Sequence, residues 1–282
     1  MSSTNYSSVD KEMIPETEVR QVELPNEVED LYGGVTLSVE QSMDPTVFLN
    51  LLRVSLSKWK QQGKKGIWIK LPLEQASLVE VTVKEGFKYH HAEPDYLMLV
   101  KWISDAPDTI PINASHRVGI GTFVMNSNRE VLVVQEKSGA FKGTGVWKLP
   151  TGVVDEGEDI CVAAIREVKE ETGIDAEFVE VLAFRQSHKS FFGKSDLFFL
   201  CMLRPCSYDI QMQDSELEAA QWMPITDYAA QSFNKRNELF NYVAQICVTK
   251  SEKDYHGFSP VSATTGSGKR SYLYFNTGSG NQ

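Results

Sequence analysis

The segment that most restricts this chain is residues 152–174, GVVDEGEDICVAAIREVKEETGI. Its spacing predicts a helix from about Glu158 to Thr172. At roughly 100° per residue, Glu167, Glu170 and Glu171 fall in one sector about 100° wide. Ala163 shares that sector one turn earlier and leaves space beside the carboxylates. Cys161, Ala164, Ile165 and Val168 form a separate apolar stripe, which must pack on a sheet. Three like charges at i, i+3 and i+4 repel and cost helix stability unless a cation lies between them. An oxygen-only donor set suits a hard ion, Mg²⁺ or Mn²⁺, which retains waters and shares phosphate oxygens. A lone Glu-Glu pair would read as a solvated helix face, so the decision rests on what surrounds it.

Charge is unevenly placed along the 282 residues, whose formal net charge is −10. Residues 1–30 hold eight acids against Lys11 and Arg20, and residues 152–174 hold seven against Arg166 and Lys169. Such a chain offers no broad basic surface, which argues against a nucleic-acid partner. Apolar content of 41% is a globular value and excludes a wholly disordered chain. No apolar run approaches the roughly 20 residues of a membrane span. The N-terminus lacks the basic and apolar regions of a secretory signal. Cys161, Cys201, Cys206 and Cys247 form no CxxC pair and read as free thiols in a reducing compartment. A soluble cytoplasmic protein is expected, with the nucleus as a second compartment.

Residues 1–30 are polar and aperiodic and are expected to be a disordered acidic tail. Residues 31–103 read β-α-β-α-β-β. Val35–Val39 alternates as a strand, and Asp44 and Pro45 offer an N-cap and first helical residue. Val47, Phe48, Leu51, Leu52, Val54, Ser55 and Trp59 supply an amphipathic stripe ending before Gly63. Residues 104–115, with two prolines and no periodicity, are the expected linker. In residues 116–250, Arg117–Asn126 and Val131–Glu136 look like a hairpin. A Gly-rich loop, the acidic helix, three strands and a last helix from about Lys235 to Cys247 follow. Residues 251–282 are expected to be a flexible tail, although Ser271–Phe275 could form a strand. His90 and His91 should alternate across a strand and so not face one metal.

The spacing Gly152, five residues, Glu158, seven residues, then Arg166-Glu167-Val168-x-Glu170-Glu171-x-Gly173-Ile174 fills every specified position of the Nudix box, GX5EX7REUXEEXGU. Chance would produce it in fewer than roughly one in a million chains of this length. Trp147-Lys148-Leu149-Pro150-Thr151-Gly152 also resembles the family's W-x-L-P-G-G entry, with Thr151 in place of one glycine. The resemblance implies an α/β fold, a Nudix αβα sandwich with a mixed sheet. It implies hydrolysis of a nucleoside diphosphate linked to another moiety. Glu167, Glu170 and Glu171 are then metal ligands, joined by the Gly152 carbonyl. Arg166 orients them, Glu158 braces the loop, and Gly173 caps the helix. The general base is a box glutamate or an acid on a later loop, where Glu216 and Glu218 are the candidates and Asp214 lies nearby.

Beyond the box, Lys64–Trp68, His90–Glu93, Tyr96–Val100, Asn113–His116, Val179–His188 and Lys194–Leu200 resemble plant cytosolic Nudix hydrolases acting on ADP-ribose and NADH. That likeness implies a small acetyltransferase-like β/α domain at the N-terminus, a homodimer, and AMP as the shared product. Where many ADP-ribose hydrolases carry proline past the box, this chain has His188, and the NADH signature SQPWPFPxS is absent. Arg185, His188 and Lys189 are candidates to meet phosphate or ribose, and Phe191 or Phe192 to stack on adenine. The alternatives are another nucleotide, such as CoA, FAD or an oxidised nucleoside triphosphate, or a non-catalytic module that senses ADP-ribose.

Overall fold

Pro45–Gln61 forms helix α1 for the reasons its sequence gives. Asp44 is extended and its carboxylate accepts from the Thr46 and Val47 amides at 2.8 and 3.2 Å. Phe48, Leu52, Ser55 and Trp59 are buried along one face. Val47 and Val54, counted into that stripe by spacing, are 50% and 65% exposed because they flank it. The chain is described here from a computed structural model covering residues 24, 26–252, 255–266 and 268–276. It divides into two compact units, before and after Asn113–Ala114.

In the first unit, β1 (Glu27–Glu29), β2 (Val35–Ser38), β3 (Gly66–Pro72), β4 (Lys88–Glu93) and β5 (Tyr96–Trp102) form one sheet in the order β1-β2-β3-β5-β4. Only β2 and β3 pair in parallel, across α1. A 3₁₀ turn over Leu73–Leu78 leads into the short helix α2 (Val79–Lys84) where one helix was expected. The core is Leu37, Phe48, Leu52, Trp59, Ile67, Ile69, Leu78 and Leu99.

Two expectations are corrected here. Glu27–Glu29 is a strand paired with β2 rather than part of a disordered tail, and Glu27 accepts from the Trp59 indole at 2.8 Å. All three side chains are exposed, so no hydrophobic alternation announces the strand. The rest of the expected acidic tail, residues 1–23, lies outside the described residues. His90 and His91 do not alternate either. A register shift between Tyr89 and His91 brings their Nδ1 atoms to 2.7 Å, and His91 Nε2 lies 3.3 Å from the Tyr96 hydroxyl.

The second unit contains β6 (His116–Val124), β7 (Glu130–Glu136), β8 (Thr151–Val153), α3 (Ile160–Thr172), β9 (Ala176–Ser187), β10 (Ser195–Pro205) and β11 (Leu217–Pro224). Its main sheet runs β8-β6-β10-β9, with β6 and β10 parallel and the other pairs antiparallel. β6 and β7 are not the expected hairpin. They meet at one bridge, Met125–Val131, and then part, because β7 pairs with β11 in a second sheet. One face of the main sheet presents Ile120, Val181, Cys201 and Leu203 to Ala163, Ala164 and Val168 of α3. Phe123, Leu182 and Leu200 cluster instead with Tyr228 of α4 (Ile225–Ala230) and with Ala244 and Cys247 of α6 (Glu238–Ser251). The expected last helix is interrupted: α5 (Ser232–Arg236) stops at Asn237, whose side chain caps α6 through the Phe240 amide.

The expected flexible tail is partly a hairpin, β12 (Ser259–Thr264) with β13 (Arg270–Phe275). Phe258 bridges Val181 of β9, and the buried Glu180 carboxylate accepts from the Gly257 amide at 2.6 Å and pairs with Lys250. All four cysteines are free, and Cys206 alone among them is exposed. Among the described residues no helix is long and apolar enough to cross a membrane.

Candidate active site

Helix α3 begins one turn-forming loop after β8 and ends at Gly173, whose φ of +73° gives the left-handed cap that favours glycine. A Cβ there would also sit 2.8 Å from Gln211 Cβ. Glu158 lies just before the helix rather than in its first turn. Both of its oxygens accept from Arg166, at 2.9 Å from Nε and 2.8 Å from Nη2. Arg166 Nη2 also reaches the Val153 carbonyl at 2.9 Å, while Nη1 donates to Glu167 at 3.0 Å and Glu170 at 3.1 Å. One guanidinium therefore ties loop 153–158 to the helix and fixes three carboxylates. It holds the Glu158 carboxyl below the usual carboxylate range.

Glu167 and Glu171 differ from Glu170 in burial. Glu170 is exposed and held by Arg166. Glu167 is half-buried, and burial raises its pKa against the opposing pull of Arg166. Its Oε1 also accepts from the Val153 amide at 3.2 Å. Glu171 is 7% exposed, and its Oε2 has no hydrogen-bond partner among the described residues. Burial pushes the Glu171 carboxyl up to about 8; Lys148 opposes this, while the charges of Glu167, Glu216 and Glu136 add to it. Lys148 is itself buried, donating to Glu136 and, at 2.9 Å, to the Thr151 hydroxyl.

These residues fit a hard divalent ion by their chemistry: oxygen donors only, one of them a buried carboxylate oxygen without a partner. Gly152 adds a close approach, since a Cβ there would fall 1.9 Å from Glu167 Cδ. Among the described residues no three acidic, His or Cys side chains converge closely enough to enclose an ion. Glu170 and one oxygen of Glu167 are hydrogen-bonded to Arg166. Gly152→Ala forces the Glu167 carboxylate, the free end of a flexible side chain, to move. We expect a small change in thermal stability and a loss of about 100-fold in turnover, because a 1 Å misplacement is enough; a fully active variant would contradict the close-approach argument.

The two loop acids separate. Gln211 and Gln213 amides donate to the Thr172 and Glu171 carbonyls at 2.8 and 2.9 Å, and the Lys137 amide donates to the Glu216 carbonyl at 2.8 Å. That stitching holds Glu216 where its charge acts on Glu171. Glu218, the second residue of β11, is exposed. The Asp214 carbonyl accepts from Lys137 Nζ.

A cavity of about 700 Å³ adjoins the box. Lys148, Thr151 and Gly152 stand at its box end, Phe198, Arg185 and Asp196 on its sheet wall, and Tyr228 and Val243 on the helix side. Of the expected substrate residues only Arg185 lines it. His188, Lys189, Phe191 and Phe192 belong to the exposed turn between β9 and β10, where Lys189 and Phe192 have φ of +59° and +48°. His188 binds Ser195 Oγ at 2.9 Å, and Phe192 is 89% exposed. Phe198 also lines the cavity, its ring leaning over the Gly119-x-Gly121 stretch of β6.

The family model described as "Nudix hydrolase domain" matches residues 26–103, and the one described as "NUDIX domain" matches residues 115–244. Nudix hydrolase 7 of Arabidopsis thaliana is 59% identical over 262 residues, covering 92% of this chain and 93% of its own. The chain belongs to the Nudix hydrolase family. Nudix hydrolase 2 of the same plant is 60% identical over 252 residues, 89% of this chain and 90% of its own. Human nucleoside diphosphate-linked moiety X motif 6 is 35% identical over 208 residues, 71% of this chain and 65% of its own. Nudix hydrolases act on nucleoside diphosphate derivatives with divalent ions such as Mg²⁺ or Mn²⁺, and this chain carries their box complete.

Proposed function

We propose that this Nudix hydrolase cleaves ADP-ribose to AMP and ribose 5-phosphate, and NADH to AMP and reduced nicotinamide mononucleotide. The observation that carries the reading is the cavity beside the box. At about 700 Å³ it takes one nucleoside with its phosphates, and its walls are mostly apolar and aromatic with few charged groups. Glu167, Glu170, Glu171 and the Gly152 carbonyl would hold Mg²⁺ or Mn²⁺. When bound, such an ion neutralises the diphosphate and acidifies a water. Arg166 and Glu158 keep the glutamates in place. The water oxygen joins one phosphorus, the bridging P–O bond breaks, and Glu216 accepts the water proton, giving two phosphate monoesters.

A panel of ADP-ribose, NADH, CoA, FAD and an oxidised nucleoside triphosphate with Mg²⁺ tests the substrate. The highest kcat/KM should fall on ADP-ribose or NADH, and a clear preference for any of the others would replace this reading. Glu216→Gln should cost about 100-fold in kcat, with Glu218→Gln near normal. Normal turnover in both would remove the loop base. We further propose a homodimer, as the family likeness implies; sedimentation at micromolar concentration should give twice the monomer mass, and a monomer would count against it.

A further inference from the structure

The sheet wall of the cavity is laid out by strand register. Gly119, Phe198 and Arg185 are side-by-side partners on β6, β10 and β9, and such partners share a face. Arg117 and Asp196 are the next partners along that face. A Cβ at Gly121 would lie 2.6 Å from the Phe198 ring, so the ring leans over a strand that glycine has kept bare. The Arg185 guanidinium stands 5.6 Å from the Phe198 ring centre, and that of Arg117 stands 5.3 Å from the Phe191 ring centre. Asp196 is half-buried. Among the described residues, the side chains of Asp196, Arg117 and Arg185 make no hydrogen bond or ion pair, and all three line the cavity.

The half-buried Asp196 carboxylate and the Arg117 guanidinium, register partners one step along the face from Phe198, match a planar edge that offers a donor next to an acceptor. The geometry points to Asp196 and Arg117 as the pair that reads the nucleobase, an adenine lying on Phe198. Asp196 accepts from the exocyclic amine and Arg117 donates to an adjacent ring nitrogen. This deepens the reading of the cavity as the nucleotide site and rests on it. Stacking on Phe198 is tolerant of base identity, so discrimination falls to the charged pair. Guanine and hypoxanthine carry a carbonyl oxygen where adenine carries the amine, and that oxygen would face the Asp196 carboxylate, acceptor against acceptor. A ribose diol has no flat face for the ring. A nicotinamide carboxamide would satisfy the same pair, and the test separates it.

The probe is the hypoxanthine analogue of NADH, compared with NADH in steady-state kinetics. Wild type should favour NADH by about tenfold or more in kcat/KM. Asp196→Asn, whose amide donates to the hypoxanthine oxygen, should erase or invert that ratio. Phe198→Leu should lower both substrates alike. Because the readout is a ratio within one protein, a change in folded fraction does not move it. Equal use of both substrates by wild type, as a nicotinamide in the cavity would give, or an unchanged ratio in Asp196→Asn, overturns the assignment. Calorimetric binding of adenosine against inosine, without divalent ions, asks the same question of a protein that hydrolyses neither dinucleotide. There the diphosphatase reading fails by itself, while the adenosine preference and its loss in Asp196→Asn still decide the pair.

Discussion

Glu171→Gln will abolish diphosphate hydrolysis and, in the metal-free protein, flatten the dependence of stability on pH. Burial raises the Glu171 carboxyl from 4.5 to about 8. A folded pKa above the unfolded one means that the folded state binds the proton more tightly. That contribution is complete below about pH 4.5 and is lost as pH rises through 8. At 1.36 kcal/mol per unit, the ionisable side chain costs the metal-free fold on the order of 3 kcal/mol between pH 5 and pH 8. Glutamine has nearly the same shape and no charge to desolvate. Denaturant titrations at several pH values in EDTA should therefore show wild type weakening relative to the variant by that amount. Parallel profiles would show that Glu171 is not held in a costly state. Activity should move the other way, with turnover falling by at least about 1,000-fold, since a neutral amide replaces a carboxylate required for charge neutralisation.

Arg166→Ala carries the second large effect, and it reaches both stability and turnover. It removes the donor shared by Glu158, Glu167, Glu170 and the Val153 carbonyl, leaving three carboxylates with no cation between them. The Arg166 side chain is 27% exposed and that of Glu158 12%, so solvent screens part of the pair. The cost should be about 2–3 kcal/mol, at or below the low end for breaking a buried ion pair. Turnover should fall by about 100-fold, the scale seen when groups that orient metal ligands are lost. Arg166→Lys should recover part of the stability and little of the activity, because an ammonium cannot bind Glu158 through two parallel hydrogen bonds. Full activity in Arg166→Lys would show that charge alone is needed.

What the sequence made legible was short in range. The Asp44 cap, the Gly173 turn and most of the apolar stripe of α3 are set by spacings within one or two turns of helix and are found where those spacings put them, whereas Ala163, counted into the acidic sector, is buried in the core with Ala164 and Val168. What it hid depends on long-range register. Nothing local states that β10 lies parallel to β6, so nothing local brings Phe198 over Gly121 or Asp196 beside Arg117. Aromatic residues close in sequence, Phe191 and Phe192, were the natural choice for the base, and the tight turn carries them to the exposed tip. Glu27–Glu29 is held by backbone pairing with exposed side chains, so hydrophobic alternation cannot reveal it. The segment after Lys250 is tied down by scattered contacts, the Glu180 carboxylate on the Gly257 amide and Phe258 and Tyr274 against the core beside α3, which no periodic stripe in the sequence announces. Glu216 and Glu218 look equivalent in the sequence; they part because the loop is stitched to the end of α3 and β11 begins at Leu217.

The most direct test of the account is turnover of ADP-ribose with Mg²⁺ in ¹⁸O-labelled water, with the products resolved by mass spectrometry, for wild type and Glu171→Gln. Wild type should release AMP and ribose 5-phosphate with one labelled oxygen in one of the two phosphates, and the variant should release neither. No AMP from wild type, AMP without label in either product, or equal release by Glu171→Gln would contradict attack of water at phosphorus under the control of the box glutamates.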